Sequence, residues 1–183
     1  RDEMGSAFDH SFIWNGESKM LLTIIKLVED SVNVAADTQE LGVRVIILVE
    51  NSVQFYSAYL PLMYTEIMQQ SSALLTESIN SATRRLRMRA RPKILLAETF
   101  EEAEALFCRY RDYLLGVITD IRFPRGGKPD STAGLALARL IKSEIADLPV
   151  LLQSSDPAME QQAIDCETAF LNKQSPRLLK KLG

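Results

Sequence analysis

The sequence predicts an α/β chain organised around a doubly wound, five-stranded parallel sheet, and three observations carry that expectation. Five apolar runs of strand length stand out: Val43 to Glu50, Lys93 to Glu98, Leu114 to Asp120, Pro149 to Ser154 and Ala169 to Lys173. Each is almost continuously apolar rather than alternating, as strands covered on both faces must be. Helical patterns separate the runs, and right-handed crossovers then lay successive strands parallel, with ligands held at their carboxyl ends.

The first run, VRVIILVE, stops at Glu50 and is followed by Asn51. From Ser52 to Pro92 the composition is helical for about twice the length of an ordinary helix. Leu60, Met63, Ile67 and Leu74, then Leu75, Ile79, Ala82 and Leu86, recur at near-heptad spacing and ask for a partner along one side. We read a helical arm over about 69–91, with Pro61 placed to kink its base. Its stripe packs in a homodimer, on the preceding segment, or on its own domain. The arm ends in RRLRMRARP, where Arg84, Arg85, Arg87, Arg89 and Arg91 suit a solvated helix terminus better than a phosphate site.

After the run KILLAE, Thr99 and Glu102 form a capping box before FEEAEALFCRY. The run LLGVITD delivers Asp120, and RGGKPDSTAG beyond Pro124 reads as an irregular loop, with the two glycines Gly126 and Gly127 and a proline ahead of Gly134. Residues Ala133 to Ile145 set Leu135, Leu137, Ala138, Leu140 and Ile141 on one apolar side. The run PVLLQS ends at Ser154, and Asp156-Pro157 is an N-cap followed by proline; Ser175-Pro176 repeats that signal after AFLNK.

Before the first run, FIWNG (Phe12 to Gly16) reads as a short strand and residues 17–38 as an amphipathic helix, with Leu21, Leu22, Ile24, Ile25 and Val28 apolar. A net charge of -3 supplies no general attraction to nucleic acid, and no apolar run reaches the length that spans a bilayer. Direct DNA binding and a membrane role are not expected. Cys108 and Cys166 read as reduced, packed thiols, in keeping with a cytoplasmic setting, and His10 has no ligand-spaced neighbour.

The strand ends converge on one crevice: Glu50 and Asn51, Asp120, Ser154 and Ser155, and Lys173. Paired acids suit a hard divalent cation, and a hydroxyl and an ammonium opposite them suit phosphoryl oxygens. The implied chemistry is phosphoryl transfer to Asp120. Singly, these residues have plainer readings: Asp120 as a solvated strand-end acid, Lys173 as a surface charge, Ser154 as a cap in competition with Asp156, and Phe170 as core.

Residues 43–183 resemble a response-regulator receiver domain of two-component phosphorelay signalling, on the motifs ILVEN (47–51), VITDIRFP (117–124), LPVLLQSSD (148–156) and AFLNK (169–173). The resemblance implies a flavodoxin-like sheet of order 2-1-3-4-5. It also implies Asp120 as phosphoacceptor, Glu50 and Asp120 in a pocket for Mg²⁺, Ser154 and Lys173 as phosphate contacts, and Phe170 as an aromatic switch. The implied partners are a sensor histidine kinase or phosphotransfer protein and an output domain in a longer chain. No catalysis on an external substrate is expected. Asn51 stands where the family usually has a second acid, which weakens the cation site; Gln174 replaces the usual proline; and the loop after Pro124 is long. Residues 1–42 are similar to the last strand and helix of a preceding receiver-like unit, with Asn15 in place of its lysine. The alternative is a pseudo-receiver that docks or dimerises without phosphorylation. An aspartate-nucleophile phosphatase is disfavoured because Arg122 replaces its second Asp.

Overall fold

The computed structural model describes residues 10–14, 16–73 and 89–173. Its strands are β1 (Val45–Val49), β2 (Lys93–Ala97), β3 (Leu114–Asp120), β4 (Phe123–Arg125), β5 (Lys128–Asp130), β6 (Val150–Ser154) and β7 (Ala169–Asn172). Five of them form one parallel sheet in the order β2-β1-β3-β6-β7, and β4 pairs with β5. With that hairpin set aside, the order is the expected 2-1-3-4-5. The helices are α1 (Ser18–Leu41), α2 (Val53–Ala73), α3 (Phe100–Tyr110), α4 (Ala133–Glu144) and the short α5 (Glu160–Asp165).

Both faces of the central strands are buried, which explains their unbroken apolar character. On one face Val45, Ile47, Val49, Val117, Val150 and Leu152 meet Phe107 of α3 and Leu137 and Ile141 of α4. On the other, Leu48 and Ile94 meet Tyr56, Leu60 and Tyr64 of α2 and Leu27 of α1. Successive residues of a strand point to opposite faces, so Ile47 and Leu48 serve different helical layers.

Leu60 and Met63, the start of the expected arm stripe, are therefore packed within their own chain. The helix α2 runs through Pro61 to Ala73 with Ile67 partly buried against the same core, while the stripe from Leu74 onward and the first three arginines of the basic run lie outside the described residues. Of the other two, Arg91 corrects the solvated reading, whereas Arg89 stays half exposed. Arg91 is 4% exposed and forks onto Asp30, with its two terminal nitrogens 2.7 and 3.0 Å from the carboxylate oxygens. Arg89 reaches Asp37 at 2.5 Å.

That pairing binds α1 to the sheet. Asp30 accepts from Tyr64 Oη and from the Ile94 backbone N–H as well as from Arg91, and the Lys93 ammonium lies 2.8 Å from Asp37. Asp30 and Lys93 are fully buried, so these charges are sustained only by one another. Burial opposes the charge on Asp37, but Lys93 and Arg89 together outweigh it and hold the carboxyl below its ordinary value. Packing of α1 on α2 and β2 thus crosses the expected boundary at residue 42. The helix ends at Gly42, whose φ of 63° makes the left-handed cap that a side chain disfavours.

Three local expectations are corrected. Phe12–Trp14 form no strand; Tyr56 Oη donates to the Ser11 carbonyl, the Ile13 N–H donates to Ser57 Oγ, and the Phe12 ring meets Tyr56 edge-on. Asn15, Gln174 and the Ser175 cap lie outside the described residues. The loop after Pro124 is the β4–β5 hairpin, because Gly126 and Gly127 both adopt positive φ (60° and 71°), as a two-residue type I′ turn requires. Cys108 is exposed, whereas Cys166 is buried as expected, and both thiols are free. Among the described residues no helix is long and apolar enough to cross a membrane.

Candidate functional site

The sheet register aligns the strand ends: Val49 pairs with Thr119, Asp120 with Gln153, and Ser154 with Asn172. Glu50, Asp120, Ser154 and Lys173 therefore emerge along one edge. Gly134, in the first turn of α4, lets that helix press against the Asp120 backbone, and its N–H donates to the Ile121 carbonyl at 3.0 Å. A Cβ there would lie 2.0 Å from the Asp120 carbonyl oxygen, so glycine is required by close approach.

The Lys173 ammonium joins the two acids. It donates to Glu50 Oε2 at 2.5 Å and lies 2.9 Å from Asp120 Oδ2. Its charge also sits 4.2 Å from the centre of the Phe55 ring, a cation–π contact from the first turns of α2. The remaining carboxylate oxygens are steadied by the backbone: Ser52 N–H donates to Glu50 Oε1 and Ile121 N–H to Asp120 Oδ1. Glu50 is fully buried, and burial pushes its carboxyl up; Lys173 opposes that shift, and the neighbouring Asp120 adds to it. The Tyr59 hydroxyl, also buried, has no hydrogen-bond partner among the described residues. Burial and the charges of Glu50 and Asp120 push it up, so it stays protonated.

The cleft over Asp120 is bounded by Phe55, Arg122, Ser154, Ser155, Asp156 and Lys173. Ser154 Oγ accepts from the Asp156 N–H at 3.1 Å, while Asp156 caps the next turn by accepting from the Ala158 N–H. The competition for the cap is thus settled in favour of Asp156, leaving Ser154 on the wall of the cleft. Arg122 lies 3.6 Å from Asp156 across the rim.

Of the residues picked from the sequence, Glu50, Asp120, Ser154 and Lys173 come together. Asn51 is exposed and does not line the cleft. Phe170 lies opposite Leu152 on β7, half-buried against the core. Sequence reasoning missed Phe55 and Tyr59; their spacing of four residues, just after a strand ending in an acid, was the available signal.

The donors around Asp120 are oxygens, the right kind for a hard divalent cation. Two carboxylates, Glu50 and Asp120, supply them, one acid fewer than a three-acid site would offer, because the neutral Asn51 stands outside the cleft. Among the described residues no group of three or more His, Cys, Asp or Glu gathers.

No family model matches the chain, and no curated protein does so. Solved structures do resemble it. The chemotaxis protein CheY4 of Vibrio cholerae is 16% identical, over 76% of this chain and 94% of its own, with a TM-score of 0.47. A response regulator receiver domain protein of Clostridium thermocellum is 15% identical, over 76% and 90%, at 0.49. The response regulator TrrA of Thermotoga maritima, in complex with Mg²⁺-BeF, is 17% identical, over 76% and 99%, at 0.47. The chain is thus similar, at low identity, to several solved receiver domains.

Proposed function

We propose that this chain is a phosphoacceptor receiver domain in phosphorelay signalling. The observation that carries the reading is the Lys173 ammonium bridging Glu50 and Asp120 at the carboxyl edge of the sheet, with Ser154 on the same cleft wall. An Asp120 oxygen attacks phosphorus as the P–N bond of a phosphohistidine donor breaks, and the bonding pair leaves with the imidazole. Lys173 exchanges part of its contact with Asp120 for a phosphoryl oxygen, and Ser154 Oγ donates to another. Asp120 and Glu50 would hold Mg²⁺, which would supply neutralisation of phosphoryl charge, and the neutral Asn51 in place of a second acid would lower its affinity. The donor is a sensor histidine kinase or phosphotransfer protein. The readout passes through Ser154 and Phe170 to an output domain, without direct DNA binding and without turnover of an external substrate.

Intact-mass measurement after incubation with a small-molecule phosphodonor and Mg²⁺ tests this. One phosphoryl group should add to the wild type and none to Asp120→Asn. The exposed, neutral Asn51 favours a second reading, a docking module that needs no phosphate. No addition to the wild type but addition to Asn51→Asp would select it.

A further inference from the structure

The inward face of α1 is ionic and apolar together, carrying Met20, Leu27, Asp30, Val34 and Asp37 into the domain. Its outward face is the anomaly. Of the nine large apolar side chains exposed among the described residues, seven fall between Ile13 and Val32, so the apolar surface is concentrated there. Leu21, Ile25, Val28 and Val32 are 55%, 61%, 57% and 73% exposed, and Leu22 beside them 41%. Their spacing of four, three and four is that of a helix–helix seam.

No charged side chain interrupts this face. The exposed positions of α1 from Leu21 to Gln39 are Leu, Ile, Val, Ser, Ala and Gln only. Lys26 and Glu29 at its flank are bound to each other at 2.5 Å. A solvated helix of this length ordinarily carries charge on its outer side. An uncharged stripe meets a second copy of itself without like-charge repulsion, and that is the condition for an isologous interface.

We infer that α1 pairs antiparallel with α1 of a second copy across a two-fold axis between Ile25 and Val28. In that register Leu21 faces Val32 of the other copy and Ile25 faces its Val28, each a longer side chain against a shorter one. Antiparallel pairing also opposes the two helix dipoles favourably. Covering the stripe buries about 1,000 Å² over both copies, the threshold of a specific interface, and Ile13 and Trp14 extend it. The interface lies on α1, not on the arm expected from the sequence, and it does not depend on phosphorylation.

Light scattering coupled to size exclusion tests the pairing on the full chain. At tens of micromolar the mass should be twice 20.5 kDa. Ile25→Glu should raise the dissociation constant roughly 30-fold or more by putting a charge in the centre of the seam. Ile164→Glu, at a position 57% exposed elsewhere, should leave it unchanged. Far-UV circular dichroism checks that both variants fold. In a Cys108→Ser background, oxidation should cross-link a mixture of Leu21→Cys and Val32→Cys chains but not Leu21→Cys alone. A monomer at several hundred micromolar would overturn the proposal and assign the stripe to a different unit, such as another domain of a longer chain. A dimer indifferent to Ile25→Glu, or cross-linking of Leu21→Cys alone, would overturn it equally.

Discussion

Glu50 illustrates how much one side chain can be asked to reconcile. It is fully buried, yet one oxygen is bound by an ammonium and the other by a backbone N–H, so its charge is compensated but not solvated. Burial raises its carboxyl above the ordinary value. A raised folded-state value means that Glu50 favours folding below its unfolded value of about 4.3 and loses that contribution as pH rises through the folded value. Glu50→Gln removes the ionisation while Lys173 keeps Asp120 as a partner. The variant should therefore gain stability relative to wild type between pH 4 and 7 in urea titrations; parallel pH profiles would contradict this. The acid was legible in the sequence as a strand-end residue, but its burial was not, because Lys173 is 123 positions away. Asp30, Asp37 and Lys93 show the same limit. They look like ordinary surface charges until the fold brings α1 against β2.

At the level of elements, short signals with a local cause were read correctly. Thr99 Oγ1 accepts from the Glu102 N–H, as its capping pattern requires, although the Glu102 carboxylate reaches back to Glu98 N–H rather than to the cap itself. Asp156 caps the turn that begins at Pro157. The β4–β5 hairpin was missed because three-residue strands carry too few side chains to show alternation, and the paired glycines read as irregularity. Gly134 was overlooked for a different reason: its role is the approach of α4 to β3, a contact between elements. Gly134→Ala should destabilise the chain by about 3 kcal/mol and displace the strand end that bears Asp120. Chemical denaturation reads the first effect and intact-mass phosphorylation the second; wild-type values in both would mean that α4 has room to withdraw.

For the whole molecule, the telling question is where the domain starts. Composition and resemblance placed a boundary after residue 42, yet Leu27 shares a core with Leu60, Tyr64 and Ile94, and Asp30 neutralises Arg91. A chain beginning at Val43 should lose several kcal/mol relative to the full chain, since it exposes that apolar layer and strips Arg91 and Lys93 of their counter-ions. Urea unfolding of the two chains measures the difference, and equal midpoints would restore the boundary. The same helix turns its other side outward, so α1 closes this domain while leaving an uncharged apolar seam.

The resemblance to receiver domains supplied the strand order; by itself the sequence determined the parallel sheet, the helices between strands and the convergence of Glu50, Asp120, Ser154 and Lys173. These follow from apolar periodicity, caps and crossover handedness, all of which act over a few residues or by rule. Only the tertiary structure decided that α1 belongs to this core, that Arg91 and Lys93 are buried, that Phe55 walls the site with Tyr59 stacked on it, and that Asn51 stands outside it. Those outcomes depend on which charges and faces meet across long sequence separations, and periodicity along one segment carries no information about the identity of its partner.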